Sequence, residues 1–464
     1  MLTLKMPQDK FSLKSVLQSV QGELILGNPR DSFSGVSIDS RTVKKGDIFI
    51  AIKGNRFDGH NFIDEALSRG AECIIAARNE ILYLGSDKLP RAVVAVKDTL
   101  LALSDLAYYH RKGFGIPVIG ITGSNGKTTT KDMLSCLLSS KYKVLKNEGT
   151  QNNIIGLSLT LLRLDSSYDL AVLEMGTNHF GEIRELARVA SPNVGIITNI
   201  GPAHLEYFGD ELGVLREKWS LIEELAFPRI AVINSDDPLL REKLSRADSA
   251  DTNFFTFGLK DGCDFTARRI SCRNKKVSFL IKNYRIDLKT ASKVNAYNAL
   301  AGFAAARLFS LDVYDIINKF REFQFPQSRF QIKSINGLNV VDDAYNANPV
   351  SLTWAIEAFS RLSSRGRKIA VIGDMLELGD KAESWHRKIG QDLSNAQVDL
   401  IIGVGRLSHI ACDAALSCGF NSKAVHKCSS VTDARSIISG LVKRGDNVLI
   451  KGSRAMRLEE IFNR

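Results

Sequence analysis

The sequence predicts an α/β protein of three domains: a small N-terminal α/β domain, a central parallel-sheet domain of the P-loop type, and a C-terminal Rossmann-like domain. Three observations predict it. The chain has 464 residues, and at a soft prior of about 150 residues per domain that suggests three cores. Two separate series of near-continuous Val/Ile strands alternate with helical patterns, the signature of parallel sheets covered on both faces. One apolar strand breaks into a loop of small residues that ends in Gly-Lys-Thr and leads into a helix. The boundaries are placed at residues 1–97, 98–325 and 326–464.

In the first segment, SGVSIDSRTVKKGDIFIAIKG carries short alternating strands, and residues 61–69 (NFIDEALSR) make a short amphipathic helix. The opening stretch, MLTLKMPQDKFSLKSVLQSV, alternates polar and apolar residues without a continuous apolar core or a small-residue cleavage site. It is expected not to be a secretory signal, and the protein is expected in the cytoplasm.

The central segment supplies the strands PVIGIT (117–122), KVLKN (143–147), DLAVLEMG (169–176), VGIITNI (194–200) and RIAVINS (229–235). Between the first strand and its helix lies IGITGSNGKTTT. Backbone N–H groups of Gly123, Ser124, Asn125, Gly126, Lys127, Thr128 and Thr129 can form an anion nest there, and the helix starting near Lys127 adds its positive dipole end. Lys127 would reach the outer phosphates of a nucleoside triphosphate, and the Thr128 hydroxyl would ligate the accompanying Mg²⁺. The strict pattern needs glycine at 121, where the chain has Ile121, so the loop is better written G-x-x-G-K-T. Glu174 ends a strand at the carboxyl edge, where open α/β sheets bind ligands, and would be a second Mg²⁺ ligand. His204 follows another such strand; a structural histidine and a metal-binding or hydrogen-bonding one both remain open. Lys218 lies in a helical pattern and by default is a solvated surface lysine.

The strand–helix alternation restarts with LNVVDDAY (338–345), KIAVIGDM (368–375), DLIIGVG (399–405) and NVLIKGS (447–453), a second doubly wound sheet. Pro326, Gln327 and Ser328 form a hinge by turn composition. Asp342 and Asp343 end a strand, and Asn346, Asn348 and Pro349 lie in the loop after it. Ligand binding and Asx-turn or N-cap chemistry both fit that loop.

Composition excludes other classes. With 44% hydrophobic and 24% charged residues and no long apolar run, the chain reads as globular without a membrane span. Cys73, Cys136, Cys263, Cys272, Cys412, Cys418 and Cys428 show no C-x-x-C spacing and read as reduced and structural. A net charge of +11 is spread along the chain without a dense basic block; a phosphate-rich small substrate explains it as well as nucleic acid does, and no nucleic-acid partner is expected.

TGSNGKTTT, LEMGTN, NIGPAHLE, NAYN (Asn295 to Asn298), Arg329 and DDAYNANP together resemble the Mur ligase family in order and separation. The resemblance implies an ATP-dependent amide synthesis in which a peptide carboxylate attacks the γ-phosphate and an amine displaces the resulting acyl phosphate. DDAYNANP, VIGDMLELG and DSRTVKKGDIFIAIKG…FDGHNF imply UDP-N-acetylmuramoyl-tripeptide and D-alanyl-D-alanine as the substrates, and a monomer. By resemblance Thr128 and Glu174 hold one Mg²⁺, His204 helps hold a second, and Lys218 stands where relatives carry a carbamylated lysine. Asn295 and Asn298 resemble adenine-side residues, Arg329 a phosphate-contacting arginine and Asp343 a ribose-binding acid. Ser40 and Arg41 resemble a UDP-binding turn, Asn152 and Asn153 lie in a loop turned toward the muramoyl substrate, and Tyr345, Asn346 and Asn348 are candidates for the D-alanyl-D-alanine side. A sister ligase, a folylpolyglutamate-type synthase and a non-catalytic ATP-regulated binding protein stand as alternatives.

Overall fold

The computed structural model describes residues 11–54, 56–81, 89–273 and 275–462. Residues 1–10, on which most of the secretory-signal expectation rests, lie outside the described residues. Each of the three segments builds its own main sheet.

The first sheet has the strand order Glu23–Leu26, Ala92–Val96, Ala71–Ala77, Asp47–Ile50, Gly35–Ser37, parallel except for the first strand. The short helix predicted over 61–69 is a 3₁₀ turn, Gly59–Phe62, followed by the α-helix Ile63–Ser68. Asp58 caps that turn, its side chain accepting from the His60 N–H.

The central sheet has nine strands, with Val118–Thr122 between Val194–Ile197 and Leu170–Glu174, and Val144–Lys146 at one edge. The chain leaves Val118–Thr122 for the far edge, returns to its near side, then crosses to its other side. That reversal makes the carboxyl end of Val118–Thr122 a topological switch point, where a crevice opens between diverging connections. Beyond Arg229–Asn234 and Thr252–Gly258 the sheet continues into Phe265–Arg273, Lys276–Ile281 and Tyr284–Leu288, the last three antiparallel to one another. This extension departs from the purely parallel expectation. Its hairpin is a two-residue turn in which Lys282 has φ +54°, and no glycine or proline marks it. The buried Arg111 guanidinium donates to the carbonyls of Ala190, Phe114 and Ile116, tying the helix Thr99–Lys112 to this domain.

The third sheet runs Gln331–Ile335, Leu338–Asp342, Asn447–Lys451, Lys368–Gly373, Leu400–Val404, Val425–Cys428, parallel except for its first strand. That first strand was not predicted, although Asn336 (φ +51°) and Gly337 (φ +80°) form the Asn-Gly turn that most strongly signals a hairpin. One conventional ligand position of this sheet is filled by the protein itself. The Asp374 carboxylate accepts from the Ser408 N–H at the start of the helix Arg406–Ser417, 2.7 Å away, where a free anion would otherwise sit. The open part of this edge, at Asp343 and Lys451, looks onto the switch point of the central sheet across a shared cavity.

Candidate active site

The cavity has a volume of about 580 Å³ and draws its walls from the central and third domains. Its floor is the loop after Val118–Thr122. Gly123 takes φ +144°, and a Cβ there would lie 1.9 Å from Thr198 Oγ1; Gly126 takes φ +86°, and a Cβ there would lie 2.3 Å from Asn298 Oδ1. Both glycines are therefore needed for conformation and for close approach. The loop is moored to the strand end beside it: the Ser124 N–H donates to the Asn199 carbonyl, the Asn125 N–H to Asn199 Oδ1, and Ser124 Oγ to the Gly201 carbonyl. The helix Lys127–Leu138 starts where the sequence placed it.

Lys127 Nζ turns back to donate to the Gly123 carbonyl at 2.8 Å. Burial lowers its pKa, the Glu174 carboxylate opposes that and the Arg329 cation adds to it, so three predicted residues sense one another. Glu174 is buried; its Oε1 accepts from Asn152 Nδ2 at 2.8 Å, and its Oε2 has no partner among the described residues. A buried carboxylate oxygen without a donor calls for a cation. Thr128 lines the cavity, its hydroxyl accepting from Arg329 Nη2 at 3.2 Å.

Lys218 is not the solvated lysine that its helical pattern predicts by default. It is 2% exposed on the helix Glu211–Glu223, and among the described residues it has no carboxylate within ion-pair reach. Burial, reinforced by the Lys127 charge, lowers its pKa well below that of a free lysine, which favours the neutral amine. The next carboxylate, Glu217, is engaged elsewhere, accepting from the N–H groups of Gly181 and Ile183 at 2.7 Å each.

His204 lines the cavity in a left-handed conformation, φ +54°, and its Nδ1 lies 2.5 Å from Glu377 Oε2 of the third domain. The hydrogen bond from His204 holds the Glu377 carboxyl below the usual range.

Asn295 and Asn298 are buried side by side against the phosphate loop: Asn298 Nδ2 donates to Asn295 Oδ1, and Thr130 Oγ1 to Asn298 Oδ1. Arg329 lays its guanidinium 3.8 Å over the Tyr345 ring, which fixes it at the domain junction. The two adjacent acids divide. Asp342 turns inward to Lys333 and Ser328. Asp343 lines the cavity and is held by Lys451 at 2.7 Å and by the Phe330 N–H. Of the two readings the sequence left open, the structure shows the N-cap one for Asn348. It caps the helix Pro349–Ser360 in a capping box with Ser351, and its side-chain amide pairs reciprocally with that of Asn125 in the phosphate loop, at 2.9 and 3.3 Å. Asn346 accepts from the Ala347 N–H, and its carbonyl from Lys451.

Four expected substrate residues stand differently from the rest. Asn152 lines the cavity, but its side-chain amide is committed to Glu174. Asn153 is the N-cap of the helix Ile154–Leu161, accepting from the Gly156 N–H, so helix geometry takes its side-chain oxygen. Ser40 is buried and donates to Glu65; Arg41 is exposed and forms a bidentate pair with Asp39. Both lie in the first domain and neither lines the cavity.

The sequence reading missed Lys451 and Glu377. Lys451 ends a strand at a carboxyl edge, as Glu174 does, and Glu377 lies in the loop after one.

Fold and site together define a three-domain α/β enzyme that handles a nucleoside triphosphate at a phosphate loop facing a second Rossmann-like sheet. Family models match end to end in sequence order: Mur ligase family, catalytic domain, at residues 32–111; Mur ligase middle domain at 121–306; and Mur ligase, glutamate ligase domain, at 328–454. The UDP-N-acetylmuramoyl-tripeptide–D-alanyl-D-alanine ligase of Bacillus subtilis (strain 168) is 35% identical over 458 residues, covering 97% of each chain. The ligase of the same name from Escherichia coli (strain K12) is 32% identical, covering 93% of each. Among solved structures, a crystal structure of MurF from Acinetobacter baumannii superposes with a TM-score of 0.88 at 29% identity, covering 98% of both chains. MurF ligase from Thermotoga maritima in complex with ADP gives 0.79 at 32% identity, covering 92% of this chain and 96% of that one. The chain belongs to the Mur ligase family.

Proposed function

We infer that this protein is the ATP-dependent ligase that joins D-alanyl-D-alanine to UDP-N-acetylmuramoyl-tripeptide, giving the pentapeptide precursor of peptidoglycan. The supporting observation is the convergence of the phosphate loop, the unpartnered Glu174 oxygen and the Arg329–Asp343 edge on one cavity, in a chain that aligns along nearly its whole length with ligases of that name.

The tripeptide's terminal carboxylate attacks the γ-phosphorus of ATP, the bond to the β-phosphate oxygen breaks, and ADP departs. The amine of D-alanyl-D-alanine then attacks the acyl carbon, phosphate leaves, and the amine gives up a proton. The first step brings a carboxylate up to a polyanion, so this chain contributes chiefly positive charge and position. The loop N–H groups and Lys127 hold the outer phosphates, Arg329 reaches them from the third domain, Asp343 takes the ribose, and Asn295 and Asn298 lie toward the adenine. Glu174, with a free buried oxygen, and Thr128, with a hydroxyl on the cavity, fit one Mg²⁺; His204 fits a second, and Lys218 fits only as an anion. When bound, such ions neutralise charge between the attacking carboxylate and the γ-phosphate. A neutral Lys218 amine is the form that captures CO₂, forming a C–N bond and releasing a proton to leave a carbamate. Apposition of the two domains excludes water from the acyl phosphate. Ser40 and Arg41 are assigned to the UDP end and Tyr345, Asn346 and Asn348 to the D-alanyl-D-alanine end. The same reading takes residues 1–97, 98–325 and 326–464 as the UDP-substrate, ATP-binding and C-terminal domains.

The same reading takes the protein as a monomer and, because the reaction uses ATP and a UDP-linked substrate, as an enzyme of the cytoplasm. No helix among the described residues is long and apolar enough to cross a membrane.

The test is phosphate release from ATP with the two substrates supplied singly and together, and products weighed by mass spectrometry. Release that requires both, with the pentapeptide's mass appearing, is expected. Amide formation with a single amino acid or a folate in place of the dipeptide would assign a sister activity, and binding of ATP without turnover would refute a ligase.

A further inference from the structure

We propose that Glu377 is a positioning residue for His204: by accepting the Nδ1 proton it presents Nε2 as a lone-pair donor to the cavity, and it does so from the opposite domain. This inference rests on the ligase reading above.

His204 belongs to the central domain and Glu377 to the loop after the strand Lys368–Gly373 of the third. Their side chains meet at 2.5 Å. A neutral imidazole has one donor nitrogen and one acceptor nitrogen, so a carboxylate at Nδ1 fixes the proton there and leaves Nε2 free to ligate. Carboxylate–histidine–metal arrangements work in this way, the outer carboxylate setting both tautomer and ring orientation.

The backbone is in an uncommon conformation on both sides of this contact. His204 and Glu377 are non-glycine residues in the left-handed region, at φ +54° and +63°, a conformation that persists only where surrounding structure imposes it. The His204 carbonyl accepts from the N–H groups of Tyr207 and Phe208, and the Glu377 carbonyl accepts from the Glu206 N–H, so the two backbones are joined as well as the side chains. A Cβ on Gly379 (φ +53°) would lie 3.2 Å from Glu206 Cα. Within the third domain the loop carrying Glu377 is pinned from behind: the Met375 N–H donates to Nε2 of the buried His386, whose Nδ1 donates to the Ala382 carbonyl, and the Leu376 N–H donates to Ser453 Oγ. Among the described residues, His204 is the sole hydrogen-bond partner of the Glu377 carboxylate. With the backbone of its loop pinned in this way, and with the sole partner of its carboxylate among the described residues in another domain, Glu377 makes the orientation of His204 depend on domain apposition.

The experiment uses the full-length protein and the variants Glu377→Ala and Glu377→Gln. Imidazole ¹⁵N chemical shifts, recorded at about pH 8.5 where a histidine is neutral and assigned with His204→Gln, report the His204 tautomer without metal or substrate. The Nδ1–H form is expected in the wild type, a mixture with Nε2–H in Glu377→Ala, and recovery in Glu377→Gln, whose amide oxygen still accepts. In turnover, the Mg²⁺ concentration giving half-maximal rate should rise by about tenfold or more in Glu377→Ala, with the KM for ATP little changed. An unaltered tautomer in Glu377→Ala, or an unaltered Mg²⁺ midpoint in a variant that turns over, would overturn the proposal. The tautomer readout stands even if no ligation is found, so failure of the ligase reading and failure of this one are separable.

Discussion

Replacing Asn152 by alanine distinguishes two roles for one side chain. The sequence resemblance turns Asn152 toward the muramoyl substrate; the structure spends its amide on Glu174, with Nδ2 to Oε1 at 2.8 Å. The other carboxylate oxygen has no partner among the described residues, so Asn152→Ala leaves neither oxygen of a buried carboxylate bonded, and the Asn147 amide, which accepts from the Glu174 N–H and donates to the Glu174 carbonyl, holds only the backbone. A hydrogen bond to an ionised group is worth about 1.5–3 kcal/mol. At about 1.4 kcal/mol per tenfold, a cation bound by a correctly placed Glu174 should weaken by roughly 10- to 150-fold. The assay is the Mg²⁺ dependence of phosphate release at saturating ATP and substrates. The midpoint should move upward by that factor while the KM for the UDP-tripeptide stays near its wild-type value. A raised KM for the UDP-tripeptide with an unmoved Mg²⁺ midpoint would refute this reasoning and restore the substrate role.

Lys218→Ala should lower turnover by roughly 100-fold, as for loss of a ligand shell, with partial rescue by short carboxylates that replace the carbamate; full activity without rescue removes the carbamate. Its melting temperature should fall only by what the loss of the buried methylene stem costs, because among the described residues the amine has no hydrogen-bond or ion-pair partner to lose. Gly126→Ala places a Cβ 2.3 Å from Asn298 Oδ1 at φ +86°, so it should cost about 1–2 kcal/mol in backbone strain alone and weaken ATP binding measured by calorimetry. Burial pushes the Cys412 thiol up to about 11 from 9.0. The folded state therefore holds the proton longer than the unfolded one: its contribution is intact below about pH 9 and is lost as pH rises toward 11, up to about 3 kcal/mol. Melting curves across that range should fall less steeply in Cys412→Ala, and equal slopes would contradict the assignment.

The residues that meet in the cavity were largely legible because they fall in local motifs at strand ends. Lys127, Thr128, Glu174 and His204 each follow or end an apolar run, and a parallel sheet gathers such ends at one edge. Features that depend on distant chain were not legible. Lys218 looks like any helical lysine until Glu211–Glu223 packs into the core. Glu377 gains its meaning only when a loop some 170 residues after His204 in the chain is laid beside it. The antiparallel strands from Phe265 to Leu288 escaped because their turn lacks glycine and proline. Gln331–Ile335 carried its Asn-Gly signal openly, and the parallel alternation around it drew the reading away. Asn153 shows the converse: a polar residue in a loop expected to face the substrate, whose side-chain oxygen is taken up by capping a helix.

The central claim is that the tripeptide carboxylate is phosphorylated before the amide forms. UDP-N-acetylmuramoyl-tripeptide labelled with ¹⁸O in its terminal carboxylate, turned over with ATP and D-alanyl-D-alanine, tests it most directly. One ¹⁸O should pass to each inorganic phosphate released while the new amide keeps the other; pentapeptide accompanied by unlabelled phosphate would contradict the account.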